Sequence, residues 1–338
     1  MKRRDSNQTN RIDKCNRRLF LTGRFSWRCS LFAVLLFTFF LSSCAAMVGP
    51  PSSASSITGE DLLEVIAQEA EKLEKPVPQL IPKDIQEIGS SQDLFFSYQE
   101  SLYSFREDTF IQIENIELFR MYWQELTEAG ALHSVFVQGD VKLEYDDQSP
   151  CTIKMNIQYD ASGDIISKIQ NGSQMVFSST RTAELYHKAQ DILKSVTTKD
   201  MTDIQKETAI HNYIVANTKY MEEGDISYLS TAESVLLDGA GQCQGYTEAT
   251  ALLLAMGGIE SRVVSGYATS ANGTEELHAW NQVRLDGIWY HLDTTWNDPI
   301  PDSKDYVSLT YFNRSDTFFS EDHKWSSFFM ECPYDYPL

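Results

Sequence analysis

Cys243 stands between two glutamines in "GQCQGYTEATALLL", residues 241–254, at the head of an apolar run. A cysteine is often no more than a small core hydrophobe. At the first turn of a helix, however, unpaired backbone N–H groups and the positive end of the dipole favour thiolate over thiol. Such a thiolate needs a base to take its proton. One is available in "HAWNQVRLDGIWYHLDTTW", residues 278–296. Asp286-Gly287 predicts a two-residue hairpin turn of type I′ between two strands. With Leu285 opposite Ile288, Trp280 faces Asp293 and His278 faces Thr295. Period two then puts His278, Trp280, Gln282 and Arg284 on one face, with Thr295, Asp293, His291 and Trp289 beside them. His278 and Asp293 become diagonal neighbours, near enough for a carboxylate to approach an imidazole, whereas a one-residue slip sends them to opposite faces.

A cysteine at a helix start, a histidine on a strand and an aspartate on the next strand are the parts of a thiol triad. In that chemistry Cys243 attacks, His278 takes the thiol proton and stabilises the thiolate, and Asp293 holds the ring. Backbone N–H groups near Cys243 would bind the oxyanion of a tetrahedral intermediate. Gln242, Gln244, Tyr246 and Trp280 are candidates for lining the substrate or oxyanion site, with Tyr246 and Trp280 read first as packing aromatics. His211 and His291 read as structural histidines. The sequence has no C-x-x-C or H-x-x-x-H spacing, so no zinc site and no cofactor is expected. Asp298, Asp302 and Asp305 fit no calcium-loop spacing and read as a solvated loop.

The elements that must position these groups follow from local signals. "RTAELYHKAQDILKSV" reads as a helix, and "TDIQKETAIHNYIVANTKY" as another opened by a Thr202–Gln205 capping box. A third helix runs from Cys243 to Gly257-Gly258, and "SRVVSGYA" is a strand. Upstream, "EDLLEVIAQEAEKLEK" predicts a helix stopping at Pro76, and residues 92–128 one or two helices around a strand in "DTFIQIENI". "HSVFVQGDVKLEYD" and "CTIKMNIQYD" alternate as strands do. The expected class is α+β, a catalytic helix on an antiparallel sheet. The expected organisation is a leader over 1–43, a tether over 44–59, an α+β domain of unknown role over 60–180 and a catalytic domain over 181–338.

The leader is basic, then apolar through "LFAVLLFTFFL", and ends in "LSSC". The run is nearer a signal segment than a full membrane span in length. "LSSC" resembles a bacterial lipobox, which implies cleavage before Cys44, lipid on its thiol and residence on the outer face of a cell membrane. The alternative is an uncleaved signal helix. "GPPSSASSITG" then serves as a Pro/Ser/Gly tether. Of the chain's net charge of −20, the first 43 residues contribute nine Lys or Arg and two Asp. The remainder holds 19 basic and 46 acidic residues, a net −27, and repels nucleic acid. Beyond Cys44 only Cys151, Cys243 and Cys332 remain, too few for a disulfide framework, and Cys151 and Cys332 are expected as buried thiols.

Three stretches carry a wider likeness: "AIHNYIVANTKY", "GQCQGYTEATALLLAMGGIESRVVSGY" and "HAWNQVRLDGIWYHLDTTWNDP", followed by "YFNRSD" and "DHKW". Together they resemble the transglutaminase-like superfamily, which shares its core with papain-like proteases. The likeness spans roughly residues 200–325. It implies Cys243 as nucleophile, His278 as base and Asp293 as orienter. Gln244-Gly245 departs from the Trp-Val of animal transglutaminases, which weighs against protein cross-linking. The expected activity is acyl transfer through a thioester on Cys243, hydrolysing a polypeptide or cell-wall peptide. The alternatives are a non-catalytic surface binding module of the same fold and a cross-linking transglutaminase.

Overall fold

The computed structural model describes residues 85–337 apart from 133–134, 140, 147, 178, 271–272 and 300–305. The expected leader, Cys44, the tether and the helix expected over 60–75 lie outside the described residues.

The first elements are β1 (Gln86–Glu87), α1 (Ser91–Tyr103), β2 (Asp108–Ile113), α2 (Ile116–Glu128), β3 (Lys142–Tyr145), β4 (Cys151–Asn156) and α3 (Ala161–Gln170). Their sheet runs β1-β2-β4-β3, with β1 parallel to β2 and the other pairs antiparallel. Helices α1 and α2 begin where an oxygen cap is available. Ser90 Oγ accepts the Asp93 N–H at 3.1 Å, and Asn115 Oδ1 accepts that of Leu118 at 2.9 Å. The strand expected across "HSVFVQGDVKLEYD" is shorter, because Phe136 (φ 70°) and Gly139 (φ 80°) take left-handed backbone that no ladder tolerates. Helix α3 was not expected. "ASGDIISKIQ" is mostly Ser, Gly, Asp and Ile, which favour a helix less than Ala, Lys or Gln do, and what starts it is Asp160, whose carboxylate accepts the Gly163 N–H at 2.9 Å.

The second set is α4 (Thr180–Val196), α5 (Asp203–Asn217), β5 (Lys219–Tyr220), α6 (Ile226–Leu229), α7 (Ala232–Asp238), β6 (Ala240–Gly241) and α8 (Cys243–Met256). Then come β7 (Ser261–Thr269), β8 (Glu275–Leu285), β9 (Ile288–Leu292), α9 (Thr294–Asn297), α10 (Asp316–Phe319) and β10 (His323–Trp325). The expected capping box opens α5, where the Thr202 N–H donates to Gln205 Oε1 at 2.9 Å. The second sheet is antiparallel throughout, in the order β10-β7-β8-β9. Helix α8 is buried nearly all round and packs on β7 and β8, the α+β core expected.

Two apolar clusters hold the chain together, and both run across residue 180. Ala249, Leu252 and Leu253 of α8 are clustered with Ile165 and Ile166 of α3, and with Phe105 and Phe136. Ile111, Ile153 and Met155 of the first sheet share the other cluster with Val264, Trp280 and Phe319. No described helix is long and apolar enough to cross a membrane.

Candidate active site

The chain enters α8 through Gln242, whose backbone N–H donates to the Leu229 carbonyl at 2.8 Å and whose side-chain amide donates to that of Met221 at 3.1 Å. Gly245 sits where a Cβ would meet the Leu229 carbonyl oxygen at 2.5 Å and that of Thr231 at 3.1 Å. Only glycine lets the α6–α7 backbone lie against the first turn of α8. The next residues anchor that turn to its surroundings. The Tyr246 hydroxyl donates to Asp298 Oδ2 at 2.6 Å, Asn281 Nδ2 of β8 donates to the Thr247 carbonyl at 3.1 Å, and Thr250 Oγ1 meets Thr294 Oγ1 at 3.1 Å. Cys243 is the first residue of α8 and is 1 % exposed. Gln244 is partly exposed on the same turn.

The hairpin has the expected register. Asp286 and Gly287 take φ 50° and 84°, as a type I′ turn requires, and pairing runs from Leu285–Ile288 to Asn281–Leu292. It stops there, so the extrapolated pairs Trp280–Asp293 and His278–Thr295 do not form. Asp293 leaves the strand to cap α9, its Oδ1 accepting the Trp296 N–H at 3.0 Å. Its Oδ2 still lies 2.7 Å from His278 Nε2. Both side chains are buried.

A second histidine shares that oxygen. His323 Nε2 lies 3.3 Å from Asp293 Oδ2, and its Nδ1 lies 2.8 Å from Asp322 Oδ1. The Tyr311 hydroxyl donates to Asp322 Oδ2 at 2.7 Å. Burial pushes the Asp293 carboxyl up, but the charge of His278 and hydrogen bonds from both imidazoles leave it well below the usual carboxylate range. Burial alone would lower His323, and Asp293 and Asp322 together raise it above the ordinary histidine value. Gly266 lets β10 approach: it pairs with His278 on one side and Trp325 on the other, and a Cβ there would meet the Lys324 carbonyl oxygen at 2.1 Å. The residue-by-residue reading of the sequence missed His323. Its one trace was the "DHKW" stretch, where an aspartate precedes a histidine far from the hairpin.

The other candidates are engaged in the fold. Trp280 is wholly buried and its Nε1–H donates to His291 Nδ1 at 2.9 Å, while His291 Nε2 lies 2.9 Å from Asp316 Oδ1. Trp280 and Tyr246 are thus packing aromatics with satisfied polar ends. His211 is held between Asn212 and Asn297 at 3.0 Å each, and burial lowers it to about 4, so it is neutral. Asp298 is not in a solvated loop: it is buried and receives the Tyr246 hydroxyl, while Asp302 and Asp305 lie outside the described residues. Cys151 and Cys332 are buried thiols, as expected, and neither is in a disulfide.

Two trios bring ligand-type atoms within 4.8 Å of one another, His278–Asp293–His323 and His291–Asp316–Cys332. Hydrogen bonds already account for the convergence of the first. In the second, the Trp280 N–H makes His291 Nδ1 an acceptor, which puts the proton on Nε2, the atom a metal would need.

Residues 190–294 match the family model described as the transglutaminase-like superfamily. A search of curated proteins finds no match. Among solved structures, the chain is similar to "a TGase", at 18 % identity and a TM-score of 0.31, over 63 % of this chain and 59 % of that one. It is also similar to a "Putative Cysteine Protease" from Cytophaga hutchinsonii, at 17 % identity and a TM-score of 0.29, over 48 % and 64 % of the two chains. The alignments span less than two thirds of either structure's own length. The family match covers α8, β7, the hairpin and Asp293, and the chain carries a transglutaminase-like domain.

Proposed function

We propose that the protein is a cysteine hydrolase working by acyl transfer. Cys243 is the nucleophile, His278 the base and Asp293 the group that orients the base. One observation carries this reading: the sheet beneath a helix that begins with cysteine presents a buried imidazole bonded at 2.7 Å to a carboxylate. With Asp293 on Nε2, His278 has Nδ1 left to accept the thiol proton. Attack of the thiolate on an amide carbon forms a tetrahedral oxyanion beside the first turn of α8, where helix-start N–H groups and the dipole favour negative charge. The protonated His278 then gives its proton to the leaving amine, and water releases the acyl group from the thioester.

Water is the preferred acceptor, since an amine acceptor requires a site that excludes it. The substrate in this reading is a surface polypeptide or cell-wall peptide. "LSSC" supports export and lipid anchoring at Cys44, with the protein held on the outer face of a bacterial membrane. The test is labelling of the protein with an electrophilic peptide, followed by mapping of the modified residue. Modification at Cys243 that disappears in His278→Ala supports the reading. Absence of labelling at Cys243 rejects it in favour of a binding module of the same fold.

A further inference from the structure

We infer that His323 is a positioning residue of this site: as an imidazolium clamped between Asp322 and Asp293, it holds the Asp293 carboxylate ionised and aimed at His278. The inference rests on the triad reading above. Both His323 nitrogens face carboxylate oxygens, Nε2 at 3.3 Å from Asp293 and Nδ1 at 2.8 Å from Asp322. A neutral ring has one N–H and would leave one of these contacts without a proton. The ring is buried among Trp280, Trp296 and Phe319, at centroid distances of 5.0, 4.5 and 4.6 Å, so water does not supply the missing partner.

The charges around the ring fit a cation. Asp293 and Asp322 bond to it, and Tyr311 closes the chain by donating to Asp322. His278 lies at a centroid distance of 5.6 Å. His291, which also packs on Trp280 and Phe319, is lowered by burial against the opposing pull of Asp316, with a smaller lowering from the His323 charge. A wholly buried carboxylate is costly unless paired. His278 cannot be its permanent partner, because its charge changes during the reaction. His323 supplies a constant one. Asp322 offsets that cation, so Asp293 keeps its pull on His278.

The test is a pH titration of the full chain with two readouts. Ring-nitrogen NMR should show His323 doubly protonated to a pH above the ordinary histidine midpoint of about 6.5. Asp322→Asn, which keeps the ring, should lower that midpoint by about one unit or more, a tenfold loss of proton affinity. The second readout is the rate of Cys243 alkylation by iodoacetamide against pH. His323→Gln keeps a donor near Asp293 but removes the cation. Both limbs of the profile should therefore move to higher pH, by about half a unit or more. A His323 that titrates at or below the ordinary midpoint overturns the inference with the triad intact. So does a His323→Gln profile reduced in height but unmoved in pH, the outcome for a residue that only packs. A Cys243 profile left unchanged by His278→Ala overturns the triad reading itself.

Discussion

Three thiols among the described residues are almost equally hidden, so exposure does not choose between them. Cys151 and Cys243 are each 1 % exposed, and Cys332 is 0 %. Their surroundings differ. Cys151 Sγ is 3.0 Å from the Asp146 carbonyl, which accepts from the thiol, and burial pushes the Cys332 thiol far up. Cys243 alone starts a helix. Mass-spectrometric mapping after brief iodoacetamide treatment near neutral pH should find Cys243 modified at least about tenfold faster than the other two. Variants of the proposed triad should also separate in stability. Cys243→Ala and His278→Ala should each abolish turnover, because neither group acts alone. Asp293→Asn should lower turnover by about 10³–10⁴. It should also destabilise the fold by about 1–3 kcal/mol in denaturant unfolding, since an amide N–H₂ would face two imidazole donors. Cys243→Ala should leave the unfolding midpoint nearly in place.

Elements rather than single residues decide which of these groups meet. The hairpin was legible because Asp286-Gly287 admits one tight turn, and period two carries the register from there to Asn281–Leu292. Helix α8 was legible because its apolar residues wrap every side and glycines stop it. What the residue pattern left hidden was non-local. The end of β9 is set by Asp293 capping α9, and the place of β10 is set by pairing with a strand more than fifty residues earlier. Neither contact has a local signature; the same holds for α3, whose helix depends on one capping aspartate and on burial of Ile165 and Ile166. Gly266 tests the β10 contact. Gly266→Ala drives a methyl into the Lys324 carbonyl and should cost about 1–3 kcal/mol in unfolding experiments. It should also slow Cys243 alkylation, because His323 moves with β10.

At the scale of the molecule, buried acids set the pH response. Burial pushes Glu207 up to about 8, against the pull of its hydrogen bond from Asn313 Nδ2 at 2.9 Å. Burial first, then Asp160, raises Glu248, which accepts from the Ser162 hydroxyl at 2.6 Å between α8 and α3. A carboxyl whose folded pKa is raised binds its proton more tightly folded than unfolded. Its contribution is therefore whole below about 4.5 and is lost as pH rises through about 8 for Glu207. Glu207→Gln removes that loss. Thermal unfolding of the variant and parent should converge near pH 4.5, and the variant should be the more stable by about 1–3 kcal/mol near pH 9. The acidic remainder of the chain has no charge attraction for anionic surfaces, so the proposed membrane attachment rests on the expected leader and Cys44. Cys44→Ala should release the protein from membrane fractions or block its processing, and unchanged retention at mature size would reject the lipid anchor.

The order β10-β7-β8-β9 also has a consequence in time. A chain being synthesised releases Cys243, His278 and Asp293 well before His323, and β10 closes its edge of the sheet only after β7, β8 and β9 can already pair. Until β10 docks, Asp293 is one partner short and the reactive groups are assembled without their clamp. A newly made chain would thus pass through a stage in which the proposed triad residues have all emerged but their pH response is not yet that of the finished fold.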